Sequence, residues 1–82
     1  MVNLCFSTPV CVLVKQDIRR TVSRVDEAAE VLLYDFPKSS QDDSIVKAAM
    51  KASRDVMMGK GAVENARSIF EAAAREVGLL AD

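Results

Sequence analysis

The segment from Ala62 to Val77 constrains this chain most, because its periodicity fits only one kind of secondary structure. Val63, Ala66, Ile69, Phe70, Ala73 and Val77 recur at helical spacing, while Glu64, Arg67, Ser68, Glu71 and Arg75 fill the opposite side. The spacing predicts an amphipathic helix. Gly61 precedes it, Gly78 follows where a C′ residue is wanted, and Glu71 with Arg75 forms a favourable i,i+4 pair. A helix with one apolar arc needs a surface to bury it against, and the preceding residues must supply that surface.

Pro9-Val10-Cys11-Val12-Leu13-Val14 is short, β-branched and apolar throughout, and Ile18-Arg19-Arg20-Thr21-Val22 returns to alternation across Lys15-Gln16-Asp17. Together they predict a β-hairpin. Val2, Leu4 and Phe6 also alternate, which allows a third short strand ahead of Pro9. A run that is apolar on both sides calls for cover on both faces, and three helices cover only one. The second face is therefore expected to meet a partner chain.

Ser23-Arg24-Val25-Asp26 reads as an N-cap with an acidic residue at N3. Val25, Ala28, Ala29, Leu32 and Phe36 then line one face of a first helix that Pro37 ends. Lys38 to Asp43 is a polar loop whose Asp43, or the following Ser44, caps a second helix from about Ser44 to Met58. That helix carries one apolar stripe of Ile45, Ala49, Ala52 and Val56, and another of Val46, Met50 and Met57 about a quarter circle away. Such a wide arc fits a helix between two neighbours, one of which can be another subunit. The expected fold is α+β over residues 1–82 as one small domain, with an N-terminal hairpin followed by three α-helices packed on one sheet face.

Length and composition narrow the possible functions. An 82-residue domain has room for one modest core and no large enclosed active site. With 50% hydrophobic and 28% charged residues the chain is expected to fold, and a formal charge of -1 provides no global field for nucleic acid or anionic membrane. No stretch is long and apolar enough to span a membrane, and the first residues lack the pattern of a signal peptide, so the expected location is the cytoplasm. Cys5 and Cys11 are not in Cys-x-x-Cys spacing and there is no histidine, so reduced thiols are expected and no metal or cofactor.

Pro9-Val10 with Val12, Arg20-Thr21-Val22, Ala28-Ala29 with Leu32-Leu33, Phe36-Pro37, Gly59, and Ala66-Arg67 with Phe70, Ala73-Ala74 and Gly78 together resemble the small bacterial family called domain of unknown function 982. The resemblance runs from Pro9 to Gly78. It implies a compact small domain found mainly in rhizobia and their relatives, and no settled activity.

The residues themselves offer few chemistries. Gly59-Lys60-Gly61 lacks the spacing of a P-loop or a dinucleotide fingerprint and reads as a helix–helix turn. With no histidine and no activating neighbour evident for either cysteine, the chain is not expected to be an enzyme. Lys15, Arg19, Arg20 and Arg24 make the hairpin locally basic, and Asp26, Glu27, Glu30, Asp35, Asp42 and Asp43 make the next segment acidic. A basic ribbon can enter a nucleic-acid groove, but mutual neutralisation of the two patches is the favoured reading. The stripe of Val46, Met50 and Met57 reads first as core packing; together with Tyr34 and Val31 it is also the candidate partner surface. The favoured function is a non-catalytic cytosolic protein–protein interaction module that self-associates as a homo-oligomer or binds a small protein partner. The alternative is a small regulatory protein that binds nucleic acid through the basic hairpin.

Overall fold

A computed structural model of the chain describes residues 4–14 and 18–81. Two strands, β1 (Cys5–Val14) and β2 (Ile18–Arg24), lead into α1 (Val25–Glu30), which continues as a π-helical turn at Val31–Asp35. A 3-10 turn at Lys38–Ser40, α2 (Ser44–Met57) and α3 (Val63–Glu76) complete the order. The architecture is the expected α+β one, an antiparallel hairpin with its helices on one face. The connection 15–17 lies outside the described residues.

In the hairpin Val10 pairs with Val22, Val12 with Arg20 and Val14 with Ile18. Side chains alternate across a strand, so Val10, Val12 and Val14 share one face, and they are buried there with Val22. Further upstream the register shifts: five steps along β1, from Cys5 to Val10, are matched by only two along β2, from Arg24 to Val22. The alternation at Leu4 and Phe6 therefore belongs to the irregular start of β1 and forms no separate strand among the described residues; Val2 lies outside them.

The second edge of β1 is occupied by the end of the chain. The Leu13 N–H donates to the Leu79 carbonyl at 2.7 Å, the Ala81 N–H donates to the Cys11 carbonyl at 3.0 Å, and Val12 bridges antiparallel to Leu80. Residues 79–81 reach β1 because Gly78 turns the chain sharply at the end of α3. Gly78 has φ +79, and the Leu79 N–H donates back to the Ala74 carbonyl at 2.8 Å, a Schellman closure. Gly59, also at φ +79, ends α2 in the same way through Lys60 and Asp55 at 2.7 Å. The glycine between the two long helices therefore serves as a helix stop.

The helices bury Val25, Ala28, Val31, Leu32 and Phe36 from the first segment and Ala66, Phe70, Ala73 and Ala74 from α3. Phe36 and Phe70 meet with ring centroids 6.2 Å apart and planes tilted by 37°, a favoured aromatic geometry. The inward stripe of α2 is rotated from the expected one. Val46, Ala49, Ser53 and Val56 are buried, while Ile45, Ala52 and Met50 flank the core half-buried. This buried stripe carries Ser53 into the interior.

The caps differ in one place from expectation. Asp43 caps α2, accepting from the Ile45 N–H at 3.1 Å. At α1 the capping position is Arg24, whose side chain does not cap; Ser23 is one residue too early. Instead the Ser23 N–H and hydroxyl both donate to Glu27 Oε1, at 3.0 and 3.2 Å, so the acceptor lies inside the helix. Asp26 pairs with Arg24 at 3.0 Å.

Two stability changes follow. The Ser53 hydroxyl is fully buried without a hydrogen-bond partner among the described residues, so Ser53→Ala is expected to raise unfolding stability by about 1 kcal/mol in urea titration; a loss would reveal a partner for the hydroxyl. Gly78→Ala meets no atom within 4 Å, so its expected cost of about 1 kcal/mol is purely that of the left-handed backbone. Faster amide exchange at Leu13 in that variant would check that the same turn holds the tail on β1.

Candidate functional site

Two arginines of the basic hairpin are paired from within the chain. α1 and its π-helical turn run back beside β2, where Arg20 reaches Glu30 at 3.0 Å and Asp35 at 3.3 Å. The hydrogen bond that Arg20 donates to Glu30, with the charges of Glu30, Asp35 and Glu27 nearby, outweighs partial burial and raises the Arg20 pKa above its ordinary value. Arg24 is held by Asp26. Arg19 is exposed and makes no ion pair with any described residue. Lys15, the fourth member of the expected basic patch, lies outside the described residues. A phosphate-binding ribbon needs cations that face outward unpaired, and two of the three described hairpin arginines already have carboxylate partners.

At the opposite end of β1, α3 clamps the irregular segment. Glu64 accepts from the Ser7 N–H through Oε2 and from the Ser7 hydroxyl through Oε1, both at 2.8 Å. One turn on, Arg67 Nε donates to the Thr8 carbonyl at 2.7 Å, and Arg67 also approaches Glu71 at 3.7 Å. Glu71 is shared with Arg75 at 3.8 Å, the i,i+4 pair expected from the sequence. Backbone groups left out of the ladder by the register shift thus find side-chain partners on α3. The Ser7 amide, then its hydroxyl and the Arg67 charge, hold the Glu64 carboxyl below its ordinary range.

The five residues proposed as a partner surface do not lie together on the outside. Val31 and Val46 are core residues, 0% and 1% exposed, because the π-helical turn carries Val31 inward and Val46 heads the buried stripe of α2. Met50 is half-buried against the core. Tyr34 is 75% exposed and Met57 42%. The structure adds three exposed apolar residues that periodicity left unmarked: Ile18, Leu33 and Met58, each more than half exposed. Leu33 and Tyr34 belong to the turn that Asp35 ties to Arg20, and Ile18 lies two residues from Arg20 on β2. Met57 and Met58 sit at the far end of α2. Only proximity to chain breakers, such as Gly59 after Met58 and Pro37 after Phe36, hinted that these helix ends would leave side chains in water.

An open groove of about 240 Å³ runs between α2 and α3, lined by Ala48, Lys51, Ala52, Asp55, Asn65 and Ile69. Lys51 and Asp55 pair across one turn at 3.6 Å, which leaves the Asn65 amide as its one uncharged polar group. Among the described residues no three cysteine or acidic side chains converge as a metal ligand set would, and no helix is long and apolar enough to cross a membrane.

These features define a small α+β domain in which a hairpin, two of its arginines paired with acids just after it in the chain, backs onto a three-helix layer. The family described as Protein of unknown function (DUF982) matches over residues 8–81, and the chain belongs to that family. No curated protein and no solved structure matches the chain.

The Glu64 clamp predicts a pH dependence. Its carboxyl is depressed in the folded state, so its stabilisation is complete above the ordinary glutamate value of about 4.3 and disappears as pH falls through the lower folded value. Glu64→Gln is expected to lower the denaturation midpoint at neutral pH and to differ progressively less from wild type on acidification. A stability gap that stays constant down to strongly acidic pH would contradict the clamp.

Proposed function

We propose that this chain is a non-catalytic interaction module of the cytoplasm that works by binding a second copy of itself. The reading is supported chiefly by large apolar side chains left in water beside β2. Ile18 is 55% exposed, Leu33 52% and Tyr34 75%. Single exposed apolar residues are ordinary on protein surfaces. Here, however, Leu33 and Tyr34 are consecutive, and both occupy a turn fastened to the strand that carries Ile18. Tyrosine at such a site suits an interface, because it supplies a large contact area with little side-chain freedom to lose.

Two-fold association is the commonest way for a small protein to cover such a patch, because each copy contributes the same surface. The chemistry of the chain favours binding over catalysis. It has no histidine, the most frequent acid–base residue. Nucleic-acid binding is the weaker reading, since Arg20 and Arg24 are already engaged by Glu30, Asp35 and Asp26.

Sedimentation equilibrium of the full chain over a wide concentration range tests the proposal. A monomer–dimer equilibrium is expected, with Leu33→Ser combined with Tyr34→Ser weakening it roughly tenfold or more. A strict monomer at the highest concentration reached rejects it.

A further inference from the structure

The contact in such a dimer can be located from the backbone. This step rests on self-association and adds the surface and register through which it occurs. β1 has β2 on one edge and residues 79–81 on the other, so the free edge of the sheet is the outer side of β2. In an antiparallel ladder, successive residues direct their N–H and C=O groups to opposite edges. Leu13 and Cys11 bond the tail, so Val10, Val12 and Val14 bond β2, and their partners Val22, Arg20 and Ile18 face inward. Arg19 and Thr21, within the regular part of the ladder, therefore direct their backbone groups outward.

Beyond Thr21 the strand is held by a side chain. Ser23 gives its N–H to the Glu27 carboxylate. No described residue takes the outward N–H or C=O of Arg19 or Thr21. Such an unpaired edge is a template for another strand.

Charge selects the strand and its register. In a two-fold pairing of β2 with itself, an axis at Arg19 sets that residue against its own copy. Pairing Arg19 with Thr21 sets Arg20 against Arg20, and pairing Thr21 with Ser23 sets Arg20 against Arg24. Like charges directly opposite are destabilising. Placing the axis at Thr21 avoids all three clashes: Thr21 meets Thr21, Arg20 meets Val22, and Arg19 meets Ser23. Beside Ser23 lies Glu27, which holds the Ser23 amide and hydroxyl through Oε1 alone. The one described arginine of the hairpin without an acidic partner thus arrives next to a carboxylate with a second oxygen to offer.

We infer that two copies of this chain join antiparallel along β2 with Thr21 on the two-fold axis, making one continuous sheet closed at each end by an Arg19–Glu27 ion pair between copies.

Two sets of variants test this, read by sedimentation equilibrium with circular dichroism as the check on folding. Proline is tolerated on an edge strand where its missing N–H faces outward. Thr21→Pro is therefore expected to keep the native spectrum and become monomeric. Unfolding of that variant would show that the Thr21 N–H is bonded inside the monomer, and a dimer of wild-type affinity would show that the contact lies elsewhere; either result overturns the inference. Arg19→Glu and Glu27→Lys are each expected to weaken self-association roughly tenfold or more. Mixed together the two variants should form a heterodimer, because the two substituted side chains then face each other with opposite charges while the unsubstituted Arg19 and Glu27 meet at the other end. Failure of the mixture to associate overturns the inference, and a dimeric wild type in that case leaves the self-association reading standing. A monomeric wild type overturns both.

Discussion

The structure depends on the need to bury one face of β1. Val10, Val12 and Val14 together with Val22 form a continuous β-branched surface that water does not reach. Burying a valine fully is worth on the order of 1.5–3 kcal/mol, too much for a domain of this size to forgo. A hairpin alone is marginal in water, so the strand pair exists because the helices cover it and because the tail occupies the second edge of β1. α3 does both jobs. Phe70 is buried in the core against Phe36, and Gly78 at the end of the same helix sends Leu79, Leu80 and Ala81 back along β1. α3 is thus the amphipathic segment most evident in the sequence and also the one that completes the sheet.

Small residues set how closely the helical layer packs. Ala66, Ala73 and Ala74 of α3 and Ala49 and Ser53 of α2 are all buried, and the two helices pack against each other. Small side chains at a crossing let two helix backbones come close, and larger ones such as Met50 and Ile69 are displaced to the flanks. The buried Ser53 hydroxyl fits that account: a serine is nearly as small as alanine, and the site selects volume before polarity. Phe36 and Phe70 fill the wider space left over, with Pro37 preventing the first helical segment from continuing past Phe36.

Features fixed by local chemistry are legible in the sequence. Gly59 and Gly78 mark helix ends because only a left-handed residue closes a Schellman turn cheaply. Asp43 caps α2, and the hairpin follows from two β-branched runs separated by a short polar break. Features that depend on distant partners are not legible. Nothing in Leu79-Leu80-Ala81 says strand, since the pairing partner Cys11–Leu13 is remote in the chain. The inward face of α2 is ambiguous in the sequence because two adjacent stripes satisfy the same period, and only packing against distant elements decides between them. For the same reason periodicity leaves Val46 open to either core or contact surface, and in the structure it is buried. The Ser7–Glu64 clamp answers a register shift that periodicity cannot detect, as a bulge is an interruption of period.

The charge pattern shows how the sequence solves an edge-strand problem only in part. A β-strand rich in arginine at the end of a sheet stays soluble by repulsion, and bare edges are commonly blunted with charge. In this chain the next element brings its own acids: Glu27 closes the Ser23 amide, Asp26 holds Arg24, and Glu30 with Asp35 holds Arg20. Each ion pair cancels a charge that would otherwise keep another strand away. Surface ion pairs of this kind contribute only about 0–1 kcal/mol apiece to stability, so their larger effect is on what the surface can approach. Once Arg20 and Arg24 are neutralised, Arg19 is the outstanding cation of β2. An edge carrying three unpaired arginines would repel another strand strongly; this one keeps a single arginine without an acidic partner among the described residues.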